Sequence, residues 1–405
     1  MPLSQGTLLE DFADRASWTI TSGSPTLRDD YSTPQTGQTG PNLLVEAANQ
    51  SVGIRKAVAY ALTGMTNFYL RVWLSTALGG PFRLYLITAA NDSAYLWINV
   101  SGTTFLHPGW NELMLPRAAF GSVGGAAWTD TAVKLLIQFS SPGAAFDAIF
   151  DVFACNYNPA LPVILWSIDD SKLSMYTLAF PEFTARGIPF SAFTVGSWVG
   201  ANPALYVSLA QLLEIQAAGN TVANHTLAHT TLSGLTAQQQ ANAISRGASW
   251  LVQNGFTGDK FFTPPGGACD DTTRWIARSL GIRLMRLSNG RLNQAHPRPD
   301  GYSELYLPTR TFGSSVSAAA ITGEIDQVIA GGGVYCPGVH NVVASGATGD
   351  DINVATLQAV LDYAQAKEAA GLLRNLNFEN YWAWLDRLQG TAPGGRRTRL
   401  QSMGA

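Results

Sequence analysis

Cysteine is scarce in this sequence and poorly spaced for chemistry. Cys155, Cys269 and Cys336 stand far apart and form no C-x-x-C pair. That argues against a disulfide framework and against a cysteine-held zinc site, and leaves three semi-buried thiols as the plain reading. Charge is thin as well, with 13% charged residues and a formal net charge of -3. No broad basic stripe is present, so nucleic acid is set aside as a partner. No apolar run approaches the ~20 residues that cross a bilayer. Residues 1–6 lack the basic stretch and apolar run of a secretory leader. The expectation is a soluble chain with no membrane insertion and no visible export signal.

Apolar material is not lacking. Hydrophobic residues make up 46% of 405 residues, enough for two buried cores and too many residues for one ordinary domain. Residues 1–158 show no long helical periodicity. Segments rich in β-formers recur at 68–74, 82–87, 95–100, 133–139 and 146–153, separated by Gly, Pro, Asn and Ser. Short strands at such intervals predict a β-sandwich, jelly-roll-like in architecture. Five tryptophans fall there: Trp18, Trp73, Trp97, Trp110 and Trp128. Most suit a core; one or two suit a sugar-stacking platform. The segment is therefore read as a carbohydrate-binding or assembly domain, through which the chain forms a homo-oligomer or joins a virion.

At residues 158–162 two prolines make a connector, and strands then alternate with helices to about residue 390. Val163 to Ile168 reads as a strand buried on both faces. Helices are predicted at 172–186, 203–218, 237–254, 271–280, 316–330 and 354–370. Thr236 and Gln239 form a capping box for the third of these. Further strands are predicted at 189–195, 221–224, 260–263, 282–287, 305–311, 333–336 and 372–378. Such alternation implies parallel βαβ units in a closed or nearly closed barrel of seven or eight strands, an α/β domain over 159–390. Residues 391–405 read as a disordered basic tail.

Three elements in this region carry chemistry. Ser167-Ile168-Asp169-Asp170-Ser171 closes the first strand, at the sheet end where barrel enzymes keep their reactive groups. Neighbouring side chains on a strand point opposite ways, so one carboxylate can face a metal and the other the substrate. A helix cap is the plainer reading of the pair taken alone. His225 and His229 are four residues apart, which puts both imidazoles on one face if the segment is a first helical turn. His340 follows a strand containing Val334, Tyr335 and Cys336. One Asp and two His make a three-ligand site with a position open to water; a spare carboxylate and a third His supply base and acid. The set describes metal-assisted hydrolysis of an amide or ester. His107 and His296 read as turn and surface-loop residues.

The stretch from Val163 to about Leu385 resembles a polysaccharide deacetylase domain, the NodB-homology domain of carbohydrate esterase family four. The family's first motif, Thr-Phe-Asp-Asp-Gly, is matched by residues 167–171, and its His-Ser/Thr-x-x-His by residues 225–229. The resemblance implies Asp169 as catalytic base, Asp170, His225 and His229 as metal ligands, and His340 as general acid. Thr226 would buttress the ligand loop. It implies a divalent metal, zinc first, with cobalt or nickel also suited, and an acetylated polysaccharide as substrate. The third motif departs: many members have Arg-x-Pro-Tyr, whereas residues 262–267 read Phe-Thr-Pro-Pro-Gly-Gly. Thr263 replaces the arginine that would hold Asp169, and Arg286 or Arg310 is the candidate substitute. Pro265, Gly266 and Gly267 form the loop whose N–H groups would bind the oxyanion. Removal of N-acetyl is expected before O-acetyl. The alternative is a carbohydrate-binding or phage virion structural protein with a degenerate deacetylase domain. A virion component would also meet extracellular polysaccharide without an export signal.

Overall fold

The computed structural model describes residues 6–32, 40–48, 50–103, 106–140, 144–157, 161–288, 296, 305 and 307–390. The tail 391–405, expected to be disordered, lies outside them.

The first half forms two antiparallel sheets. One joins β1 (Thr7–Glu10), β3 (Thr26–Asp30), β4 (Asn42–Ala48), β6 (Asn67–Leu74), β9 (Gly109–Pro116) and β12 (Ala145–Cys155) in the order β3-β4-β12-β6-β9, with β1 on β12. The other runs β10-β8-β7-β11-β5-β2, from β2 (Trp18–Ser22), β5 (Ser51–Ala61), β7 (Arg83–Ile87), β8 (Tyr95–Asn99), β10 (Gly121–Val123) and β11 (Thr131–Ser140). Strand alternation explains the layering. Phe68, Leu70, Val72 and Leu74 of β6 join Leu84, Leu86, Ile98, Leu135 and Ile137 of the other sheet in one apolar cluster. The five strands predicted here are all present as β6, β7, β8, β11 and β12; the other seven, β1 to β5, β9 and β10, were not predicted.

The outer side of the first sheet is covered. Arg71 is buried between Glu112 at 2.9 Å and Asp151 at 2.5 Å, with its guanidinium 3.6 Å from the Trp110 ring centre. Tyr69, Met114 and Val152 form a small apolar cluster beside them. Helix 318–331 of the second half packs against β6 and β9, and Asn67 Nδ2 donates to Gly331 O at 3.3 Å.

The second half is a parallel α/β array. Its strands are β13 (Val163–Leu165), β14 (Ser167–Asp169), β15 (Ser191–Thr194), β16 (Thr221–Asn224), β17 (Gly258–Phe262), β18 (Leu284–Ser288), β19 (Leu307–Thr311) and β20 (Val334–Val339). They pair in sequence order from β14 to β20, and β14 also pairs with β20, so the path returns on itself. β13 and β23 (Arg374–Leu376) extend the sheet from β20, while β21 (Asn341–Val343) and β22 (Asp351–Asn353) pair separately.

Between the strands run helices α1 (Phe180–Ala185), α2 (Leu209–Ala217), α3 (Ala237–Gln253), α4 (Asp271–Ser279), α5 (Ala318–Gly331) and α6 (Val354–Ala369), and α7 (Phe378–Gly390) follows β23. Leu165, Phe193, Ala223, Phe261, Leu284, Leu307 and Cys336 share one cluster with Phe378, Tyr381 and Trp384 of α7. The capping box of α3 is present, with Gln239 N–H donating to Thr236 Oγ1 at 3.3 Å and Thr236 N–H to Gln239 Oε1 at 2.9 Å. The helix predicted over 172–186 is present over residues 173–185, but it winds as a π turn across Met175–Ala179 before α1. Pro181 lacks the N–H that a regular ladder would need there. Helix α7 was not anticipated. Among the described residues no helix is long and apolar enough to cross a membrane.

Candidate metal centre

The chemistry-bearing residues gather where the parallel strands end, because each follows or closes one of them. Asp169 ends β14, His225 follows β16, Thr263 follows β17 and His340 follows β20. One ligand atom from each of Asp170, His225 and His229 lies within 4.8 Å of the others. Asp170 Oδ1 is 3.5 Å from His225 Nε2 and 3.2 Å from His229 Nε2. It is buried, yet neither contact has hydrogen-bond geometry and it has no partner among the described residues. A carboxylate oxygen left in that state is costly, and a cation between the three atoms would satisfy it. The donor set therefore fits a divalent metal.

The expected helical turn across the two histidines is absent. Residues 225–229 form a loop in which Thr226 has φ 62° and His229 φ 54°. Left-handed backbone, not helical spacing, turns both imidazoles toward Asp170. Such conformations are unfavourable for non-glycine residues and need outside support. Thr226 Oγ1 supplies some by accepting Thr230 N–H at 2.9 Å. Asn224 Oδ1 accepts Thr226 N–H at 2.9 Å while its Nδ2 donates to Ile244 O on α3. Gly247 of α3 makes this approach possible: a Cβ there would stand 2.1 Å from Asn224 Oδ1. His225 Nδ1 lies 2.8 Å from Thr263 O, which assigns the proton to Nδ1 and leaves the Nε2 lone pair facing the site. His229 is half-exposed and stacks on Trp198, ring centres 5.0 Å apart.

Asp170 and Ser171 are also left-handed, with φ 72° and 54°. Ser171 stands where the motif has glycine, and its side chain compensates. Its Oγ accepts Val195 N–H at 2.9 Å. Asp170 is held well below the usual carboxylate range; burial opposes this, and the two facing imidazoles outweigh it.

Asp169 is buried and forms a close ion pair with Arg286 of β18, itself 1% exposed. Burial would raise its pKa, but Arg286 first, then His225 and His340, bring it below the ordinary value. Arg286 also lies 4.6 Å over the Phe193 ring and donates to Thr309 Oγ1 at 3.4 Å. Arg310, the other candidate, pairs with Glu324 at 3.3 Å. Thr263 thus contributes its main-chain carbonyl to His225, and its hydroxyl donates to Arg286 O at 3.3 Å.

His340 Nε2 is 3.9 Å from Asp169 Oδ2, and its Nδ1 is buried with no partner among the described residues. Asp170 and His340 line one wall of a cleft of about 690 Å³ that also touches Lys172, Leu205 and Asp351. Pro265–Gly267 is a tight turn after β17, with Gly266 at φ 65°. Gly267 N–H is already used, donating to Pro264 O at 2.9 Å. The other two histidines lie apart from the centre. His107 lies between strands, as expected, but is buried at 1% exposure, and His296 bridges Tyr381 Oη at 2.9 Å and Leu161 O at 3.1 Å. Lys172 and Trp198, beside Asp170 and His229, went unnoticed because nothing in their local sequence distinguishes them.

The family model described as polysaccharide deacetylase matches residues 157–285. No curated protein matches the chain. Among solved structures, the chain is similar to the Streptococcus pyogenes deacetylase PplD in complex with acetate, at 20% identity over 36% of this chain and 62% of that one, TM-score 0.32. It is similar to a family 4 carbohydrate esterase from Streptomyces lividans in complex with acetate, at 17% identity over 52% and 90%, TM-score 0.37. A CE4 family pseudoenzyme from Bacillus anthracis matches at 13% identity over 56% and 66%, TM-score 0.40. The chain thus spans about two thirds of the first and third of these proteins.

Proposed function

We propose, from the match of residues 157–285 to the polysaccharide deacetylase family, that the chain is a metal-dependent hydrolase removing acetyl groups from a polysaccharide, N-acetyl in preference to O-acetyl. The observation that carries this reading is the convergence of Asp170, His225 and His229 around a buried, unbonded carboxylate oxygen. A divalent metal held there, zinc first and cobalt or nickel also suited to one carboxylate and two imidazoles, supplies Lewis-acid polarisation and a lowered water pKa.

The chain's own residues do the rest. Asp169, kept ionised by Arg286, takes the proton of the attacking water. His340, on the other side of Asp169, gives a proton to the leaving nitrogen or oxygen. Because Gly267 N–H is engaged with Pro264, the N–H of Gly266 is the donor assigned to the developing oxyanion. His225 and His229 must stay neutral to act as ligands, and the Nδ1 contact to Thr263 O favours that tautomer for His225. We read the closed path of strands as the distorted barrel, and its substrate as polysaccharide outside the cell, met as part of a phage particle.

The degenerate-domain reading rested on the departures at Thr263 and Gly266; the Arg286–Asp169 pair speaks against the first of them and leaves the second as it was. The test is metal analysis and acetate release on the same preparations. The His225→Ala/His229→Ala double variant should fold, lose bound metal and release no acetate from any polysaccharide that the unaltered chain deacetylates. Full metal occupancy in that variant would overturn the site.

A further inference from the structure

The outer face of the second sheet carries an aromatic shelf that the deacetylase reading does not use. Tyr85 and Trp97 stand directly opposite in the β7–β8 pairing, with ring centres 6.3 Å apart and planes 20° from parallel. Tyr95 meets Tyr85 edge-on at 5.5 Å. All three are half-exposed, while the alternate residues Leu84, Leu86, Leu96 and Ile98 fill the core. Strand alternation thus sets the rings outward, and neighbouring strands bring them side by side. Gly121 of β10 faces Trp97 across the next pairing, and a Cβ there would sit 3.0 Å from Trp97 Nε1.

The polar groups beside the shelf are unusual in charge. Arg83 is one register step from Tyr85, opposite Asn99 and Gln138, with its guanidinium 5.9 Å from the Trp97 ring centre. Its Nε is buried without a hydrogen-bond partner, and it has no carboxylate partner among the described residues. Arg55 and Lys134 on the same face share one carboxylate, Asp92, at 2.8 and 2.5 Å. The face therefore holds three cations against one carboxylate, although the chain as a whole is at -3. Flat rings suit the apolar face of a pyranose, and an unpaired guanidinium suits a carboxylate.

We propose that Tyr85, Trp97 and Arg83 form a non-catalytic binding site for a carboxylate-bearing polysaccharide. The rings stack on one sugar unit while Arg83 pairs with the acid group of that unit or its neighbour. The site does not depend on the metal centre, and binding and acetate release are read separately, so either can fail alone.

The test is affinity electrophoresis of the full chain in gels containing hyaluronan, alginate or polygalacturonate, with dextran as neutral control and polyphosphate as a polyanion without sugar rings. At least one acidic polysaccharide should retard the protein, and dextran should not. Trp97→Ala and Tyr85→Ala should each weaken binding roughly tenfold, as expected for a central aromatic contact. Trp97→Phe should restore most of it, and Arg83→Gln should abolish the preference for the acidic polymer. Rates on a small acetylated sugar should not change in any of the four. Thermal melts monitor folding, and the Phe variant keeps the test decisive if the alanine variants unfold. Three results would overturn the site: no retardation by any of the three acidic polymers, equal retardation of Trp97→Ala, or equal retardation by polyphosphate with the same response to the variants.

Discussion

Asp169 is the residue on which opposing effects are most finely set. Burial alone would raise its pKa, and Arg286, with His225 and His340, brings it below the ordinary value. Arg286→Gln should therefore raise its pKa, so that the acid limb of kcat/KM moves to higher pH and activity at neutral pH falls by about 10²-fold. Arg286→Lys keeps the charge but not the planar fork, and should lie between the two. A pH–rate profile of the metal-loaded variants checks both; an unmoved acid limb would show that Arg286 does not set the ionisation of the base. The same logic explains why Thr263 is tolerated where relatives of the motif carry arginine. The guanidinium that pairs with Asp169 comes from the neighbouring strand, β18, and Thr263 is left to meet His225 through a carbonyl that any residue has.

At the scale of elements, the ligand loop depends on the helix behind it. Thr226, left-handed within the 225–229 loop, is tied to α3 through Asn224, and α3 comes close because position 247 has no side chain. Gly247→Ala should push Asn224 and Thr226 away, at a cost of about 1–3 kcal/mol for overpacking. Metal affinity should drop with it although no ligand has changed. Metal titration together with a thermal melt separates this from a purely local strain: a lowered Tm with unaltered affinity would mean that the loop holds its shape without α3.

For the whole molecule, two buried histidines tie stability to pH. Burial lowers His107 from 6.5 to about 3 and His296 to about 4, so both are neutral in the folded chain well below neutral pH. The unfolded chain takes up these protons first as pH falls through 6.5, so stability is lost from there down toward the folded values. For His107 the loss is about 2 kcal/mol at pH 5, taking 1.36 kcal/mol per unit. The Tm should fall between pH 7 and pH 5, and less so in His107→Gln, as calorimetry at the two pH values would report. We also expect the boundary near residue 159 to separate two folding units, with a fragment from Pro159 onward still releasing acetate from a small substrate. Its Tm should be lower than that of the full chain, because α5 would lose the cover of β6 and β9. An insoluble fragment would show instead that the halves share one core.

What the sequence determined by itself is what local pattern can encode. Richness in β-formers marked strands such as 68–74, the Thr236–Gln239 box marked the start of α3, and the placement of Asp170, His225 and His229 at strand ends pointed to one site. These follow from side-chain type, capping and the shared direction of parallel strands, which need no long-range information. Tertiary structure alone decided how the two histidines converge, since positive φ at Thr226 is supported by contacts with α3 rather than by its own residue type, and His229 packs on Trp198. It alone chose Arg286 over Arg310 to hold Asp169, because two arginines on adjacent strands are equivalent until pairing fixes which one faces the interior of the closed path. It alone set Tyr85 against Trp97, residues twelve apart in sequence, because cross-strand register is a property of the sheet and not of either strand.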